Sequence, residues 1–270
     1  MASLVPSYIV KADRAEKHLQ DLRAAINAWA NTHPYEVRTT HYRKRNAYHL
    51  RFTSSPPPEI SAIAADVAYN LRSGLDHLMA ALVPAAERSG VYFPIYFQGV
   101  WEDLVPGEDK ERTKERGRWN SDTTKVRPEA LAILKSLQPP EYGRKRVQIN
   151  TFRALNLISN KDRHQRLPLV FSSLRGIRLI SKDAQGNRYI GPTDTGEPVE
   201  DMKVAKDGAE LIYPPHPEEV HVTGAPVIAI EISPEEGGVE IPYIFELALR
   251  AYRERAVGPL APYVHRGATD

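Results

Sequence analysis

The stretch Asn70-Leu-Arg-Ser-Gly-Leu-Asp-His77 sets five polar side chains, Asn70, Arg72, Ser73, Asp76 and His77, inside an otherwise apolar helical pattern. An imidazole exchanges protons near neutral pH, and a guanidinium neutralises phosphate or carboxylate charge. Amide, hydroxyl and carboxylate groups beside them would orient a ligand through hydrogen bonds. A second cluster, Asn160-Lys-Asp-Arg-His-Gln-Arg166, adds Asn160, Asp162, Arg163 and His164. Arg72, His77 and His164 are therefore the candidate catalytic residues. Asn70, Ser73, Asp76, Asn160, Asp162 and Arg163 are the candidate substrate-binding residues.

Helical spacing decides whether such groups can converge. At 100° per residue, Asp66, Asn70, Ser73 and His77 stack on one face, with Tyr69, Arg72 and Asp76 adjoining. Ile60, Ile63, Ala64, Val67, Leu71, Leu75, Leu78 and Leu82 form the apolar face. On a second helix Arg153, Asn156, Asn160 and His164 recur at helical spacing. Two such stripes facing one another would make a polar seam. The seam is either a reactive site or a hydrogen-bond network that fixes helix pairing, because buried polar groups need partners in both cases. Asp66 and His77 lie about 16 Å apart along a helix and cannot share an ion. No HExxH motif is present. No metal ligand is assigned, although Asp76 or His77 with Asp162 or His164 leaves a metal-dependent hydrolase on a helical bundle as an alternative.

The elements that must position these groups follow from periodicity and breakers. Residues 12–30 read as an amphipathic helix carrying Leu19, Leu22, Ala25, Ile26 and Trp29. Residues 35–42 and 46–54 read as strands around a basic turn. A helix over 58–83 follows the "SSPPPE" run, with Pro in its first turn. "VYFPIYF" is extended, and 100–127 reads as a long polar loop. Short helices are expected from Pro128 and over 147–163, the latter with Ile149, Phe152, Leu155 and Ile158 inward. "RGIRLIS", "KVAKDGAELIY" and "EVHVTGAPVIAIEIS" read as antiparallel strands, before a terminal helix stopped near the Gly-Pro of 258–259. The expected fold is α+β: a helical core with a polar seam between two helices, an antiparallel β section and a closing C-terminal helix. Its organisation is a mainly helical domain with a hairpin (1–166), an acidic β section (167–240) and a closing helix on the helical part (241–270).

Composition narrows the chemistry. The chain has 270 residues and no cysteine, so disulfides, thiolate metal sites and cysteine nucleophiles are excluded. No apolar run approaches the roughly 20 residues of a membrane span, and residues 1–18 lack a signal-like apolar core. A cytoplasmic protein without a membrane partner is expected. The net charge of +2 hides an asymmetry: residues 181–240 carry −9 and the first 180 carry +10. A basic first part suits an anionic partner, and a solvated surface would look the same. "HYRKRNAYH" at 41–49 interleaves basic and aromatic residues as single-strand binders do, and "GRKRVQ" at 143–148 is similarly basic. P-loop, GxGxxG and GxSxG signatures are absent.

Arg72 and His77, four residues between them, resemble the Arg-x4–6-His signature of HEPN ribonucleases. These are all-helical proteins whose Arg and His meet at a shared, usually dimeric, cleft. The resemblance implies metal-independent cleavage through the RNA 2′-hydroxyl. His77 would be the general acid or base, and Arg72 would neutralise the phosphorane. Ser73 stands where a polar amide often follows the Arg. "NLRSGLDH" and "NKDRHQR" together also resemble a family of uncharacterised bacterial proteins, over the helical half, with no activity to carry across. The expectation is a HEPN-like, RNA-directed protein without a cofactor, with RNA as partner and a homodimeric arrangement. Metal-independent endoribonuclease activity is the enzymatic form of that reading. A non-catalytic binding or scaffold protein with a structural seam is the alternative.

Overall fold

The computed structural model describes residues 5–42, 45–97, 99–102, 110–139, 150–164, 169–182, 188–191, 210–211, 219–233 and 237–265. In chain order its main elements are α1 (Ser7–Ala30), β1 (Tyr35–Tyr42), β2 (Arg45–Phe52), α2 (Pro58–Ala81), α3 (Lys110–Thr123), α4 (Pro128–Ser136) and α5 (Thr151–His164). They continue with β3 (Leu169–Lys182), β4 (Arg188–Gly191), β5 (Glu210–Leu211), β6 (Glu219–Ser233), β7 (Gly237–Ile241) and α6 (Tyr243–Ala251). The α+β class is as expected from the sequence. No helix among the described residues is long and apolar enough to cross a membrane.

The core is a layer of helices gathered on α2. Helix α1 buries Tyr8, Ala12, Ala15, Leu19, Leu22, Ile26 and Trp29. That alternation of four and three keeps one stripe facing its neighbour over the whole helix. It packs along α2, where Ile60, Ala64, Val67, Leu71, Leu75 and Leu78 are buried. Helix α5 packs on another side of α2 through Phe152, Leu155 and Ile158. Asn150 starts α5 by accepting hydrogen bonds from the N–H groups of Phe152 and Arg153, at 3.0 and 3.3 Å.

Helix α6 closes the layer against α1, α2 and α5. Arg23 pairs with Glu246 at 2.8 Å, and beyond α6 Arg253 reaches Asp13 and Glu16. The buried Tyr252 hydroxyl donates to the Tyr8 carbonyl at 2.7 Å. This approach requires a glycine on α2. A Cβ at Gly74 would stand 2.8 Å from the Tyr252 hydroxyl and 3.2 Å from the Lys11 Cβ.

The strands form two sheets. One has the order β4-β3-β6-β7 and is antiparallel throughout, with irregular register in β3 near 171–178. The other joins the hairpin to a distant strand in the order β1-β2-β5. Thus the described part of "KVAKDGAELIY", Glu210–Leu211, pairs with the hairpin and not with the larger sheet. Ile228 and Ile230 of β6 join the helical core.

Two expectations are corrected. Helix α1 begins five residues earlier than the expected residue 12, directly after Pro6. Its first turn holds Tyr8, Ile9 and Val10, aromatic and β-branched residues that read as helix-averse. The expected loop over 100–127 contains α3. Its Lys, Glu and Arg residues are good helix formers, but one large apolar side chain, Trp119, makes no periodic stripe. The terminal helix ends at Leu260, beside the expected Gly258-Pro259 stop. It reaches that end through a π-helical stretch over Tyr252–Val257 and a further turn over Gly258–Leu260. A proline at the start of a turn loses no necessary N–H donor.

Gly74→Ala should cost about 1–3 kcal/mol by overpacking. In a chain of this size that lowers the melting temperature by roughly 2–4 °C per kcal/mol. Tyr252→Phe removes the nearest clashing atom, so the same alanine should cost measurably less in that background. Thermal melts of the four proteins check this, and additive losses would mean that α2 and the closing helix do not meet at Gly74.

Candidate functional site

Residues 91–97 run as a strap past α2, outside any helix and without a strand partner among the described residues. Its backbone groups must still be satisfied where they are covered. Side chains from surrounding elements do this. The Phe93 N–H donates to Asp76 Oδ1 at 2.9 Å, and its carbonyl accepts from Arg72 Nη2 at 3.0 Å. Gln138, just after α4, takes the Tyr96 N–H at 2.8 Å and donates to the Pro94 carbonyl at 3.1 Å. Arg72 and Asp76 themselves form an ion pair at 2.9 Å, one helical turn apart, with side chains only 12% and 19% exposed. The spacing that looked reactive is thus also a clamp on one residue's backbone.

Beside the clamp lies a pocket of about 320 Å³. Arg72 comes from α2, Tyr92, Phe93, Ile95 and Tyr96 from the strap, Arg118, Ser121 and Asp122 from α3, and Asn156 from α5. Helix α3 is anchored here by Trp119, whose ring packs against Trp101 and edge-on against Tyr96, at 5.1 and 6.4 Å between centroids. On the α5 side the Arg153 guanidinium lies over the Phe97 ring at 4.5 Å.

Asp122 is the carboxyl group lining the pocket. Burial pushes its carboxyl up to about 6, and the Arg72 guanidinium with hydrogen bonds from the Tyr92 N–H and the Tyr96 hydroxyl restrains the rise. Burial, with the Asp122 charge next, pushes the Tyr96 hydroxyl up to about 12, so it remains a donor. Asp122 is therefore divided between a carboxylate that accepts and a carboxylic acid that donates at mildly acidic pH.

The structure brings together part of the expected seam. Arg72 and Asp76 adjoin, and Asn156 of the α5 stripe shares the pocket with Arg72. Asn70 is buried but donates to the Asp66 carbonyl of its own helix at 2.8 Å. Ser73 is half-buried, and neither it nor the exposed Asn160 lines the pocket. His77 is exposed, and its Nδ1 lies 2.9 Å from the Ser7 hydroxyl on α1. Arg72 and His77 leave α2 about 140° apart, as five helical steps require, and face different neighbours within one protomer. The side chains of Asp162, Arg163 and His164 lie outside the described residues, as do Ile149, the side chains of 41–49 and the segment 143–148. Among the described residues no three His, Asp or Glu side chains cluster as a metal site.

Asp122, Arg118, Tyr92 and Tyr96 were not reached from the sequence. The available signal was Arg118 and Asp122 at i, i+4 around Trp119, which is visible only once α3 is recognised as a helix. Comparison with protein-family models, curated proteins and solved structures finds no match for the chain.

The clamp makes a thermodynamic prediction. Asp76→Ala removes the carboxylate paired with Arg72 and the acceptor of one Phe93 N–H in a largely buried place and should cost about 2–4 kcal/mol. The double replacement Arg72→Met/Asp76→Leu should cost less than the sum of the two single changes, measured by urea unfolding. A second prediction concerns pH. Asp122 holds its proton more tightly when folded, near 6 against 3.8. Its contribution to stability is fully present below the lower value and is lost as pH rises through the higher one. Relative to Asp122→Asn, the parent protein should therefore lose stability between about pH 4 and 7, as thermal melts across that range would show.

Proposed function

We propose that the chain is an RNA-directed protein that captures one nucleotide of a single strand in the pocket between α2, α3, α5 and the strap. The observation that supports this most is the pocket's composition. An exposed Arg118 stands at its wall, two tyrosines lie on the strap, and an amide and a carboxyl group face the same space. Cationic grooves with aromatic platforms are what single strands need, because phosphates supply charge and every base has a face to stack. Tyr92, 59% exposed, is the platform available to solvent. A volume of 320 Å³ lies at the small end of ligand pockets, roughly 300–1,000 Å³, which suits one nucleoside and excludes a duplex. The +10 charge of the first 180 residues would draw a polyanion towards this half.

Cleavage is the enzymatic form of the same reading. Arg72 is committed to Asp76 and Phe93, and His77 faces α1, so a metal-independent reaction by the resembled Arg–His pair calls for His77 from a second copy. The 2′-oxygen would attack the adjacent phosphorus, lose its proton to the imidazole and expel the 5′-oxygen, which takes up a proton. A homodimer belongs to this form of the proposal.

Fluorescence anisotropy with a labelled single-stranded RNA tests capture. Arg118→Ala should weaken binding and reduce the slope of log K against log salt by about 0.7, the worth of one phosphate contact. Tyr92→Ala should cost about 1–3 kcal/mol of stacking. Binding indifferent to both changes would overturn the assignment. Cleavage, if the parent cuts, should survive EDTA, vanish with a 2′-deoxy sugar at the cut and fall about 10²–10⁴-fold in His77→Ala. A parent that binds without cutting is the scaffold form.

A further inference from the structure

We infer that the pocket selects guanine, with Asp122 reading the base's Watson–Crick edge and Asn156 its carbonyl. This deepens the nucleotide-capture reading and rests on it. The argument is one of donor and acceptor matching. A carboxylate has about four lone-pair positions, and among the described residues the Tyr92 N–H and the Tyr96 hydroxyl account for two of those on Asp122. Burial disfavours its charge, and N–H donors brought by a ligand in the pocket it lines would favour it. Among the four RNA bases guanine alone offers two adjacent donors on one edge, N1–H and the N2 amine. Adenine and cytosine each set one amine beside an acceptor nitrogen, and uracil has a single N–H between two carbonyls.

The other lining groups agree with that orientation. With the Watson–Crick edge on α3, the guanine O6 needs a donor, and the Asn156 amide from α5 lines the same space. Base edges of an unstacked nucleotide are read in this way by single-strand proteins, with a ring stacked on an aromatic face. Tyr92 supplies that face, and Arg118, exposed one helical turn before Asp122, is placed for the phosphate. The buried Arg72–Asp76 pair is charge-balanced and serves as wall. Adenine in this pose would set its N1 acceptor against the carboxylate and its amine against the amide's donor, two repulsive contacts in place of three attractive ones.

Isothermal titration calorimetry of the full chain with GMP, IMP, AMP, CMP and UMP tests the inference. GMP should bind about 10–100-fold more tightly than AMP, the worth of a good bidentate base contact. IMP, which lacks the N2 amine, should fall between them. Asp122→Asn should lose most of the GMP preference while AMP affinity holds, and Asn156→Ala should weaken GMP more than AMP. Melting curves confirm that each variant is folded, and Asp122→Glu, which keeps the carboxylate, stands in if Asp122→Asn is not. Equal affinity for all five nucleotides would overturn guanine selection and leave nucleotide capture standing. Binding to none of them, and none to single-stranded RNA, would overturn both.

Discussion

A stretch of chain that pairs with no strand among the described residues must find hydrogen-bond partners for its covered amides elsewhere, and side chains of the helical part answer that need. Residues 91–97 lie between α2, α3 and α5 with Phe93 almost wholly buried. The Phe93 amide and carbonyl are taken by Asp76 and Arg72, the Pro94 carbonyl and Tyr96 amide by Gln138, and the Tyr92 amide by Asp122. Side-chain groups from α2, α3 and the end of α4 thus stand in for the neighbouring strand. An unmade bond of this kind costs about 1–3 kcal/mol, against about 1 gained when it is made. The arrangement is therefore more sensitive to loss than its net stability suggests.

The pocket is a consequence. The strap is held to α2 and α3 by polar side chains, and the pocket opens beside those contacts. Its walls include the groups that hold the strap, Arg72 and Asp122 among them. On the proposed reading, structural and ligand-binding demands would fall on the same residues. Replacing them would then move stability and any binding together, so Arg118 and Asn156, which hold none of the strap hydrogen bonds named above, are the cleaner probes of the proposal.

Much of this was legible from residue order. The spacing of Leu71, Leu75 and Leu78 marks the buried face of α2, and that of Phe152, Leu155 and Ile158 marks the buried face of α5. The polar stripes were legible as stripes, and Asn156 does meet the α2 side. What the spacing could not convey was the identity of each partner. Asn70 turns to its own helix and His77 to Ser7, because a stripe of helix more than 100° wide faces several neighbours at once. Helix α3 was illegible because it is fastened through Trp119 and the buried Thr123, without an apolar face for periodicity to detect. The pocket's carboxylate was hidden with it.

Electrostatics then limits what the conspicuous arginine can do. Arg72 sits 2.9 Å from Asp76 in a place with little water, where an opposite charge is screened far less than at a surface. Its field outside the pair is that of a dipole and falls off faster than that of an ion. A phosphate arriving in the pocket would meet Arg72 already compensated, and would have to compete with a carboxylate fixed on the same helix. Arg118 stands differently: it is exposed, and among the described residues it forms no ion pair within 4.0 Å. On the proposed reading, attraction of an anion would fall to α3, with α2 supplying the wall. A motif read as Arg-x4-His would assign those roles the other way round, because spacing records which residues share a helix and not which charges are already balanced.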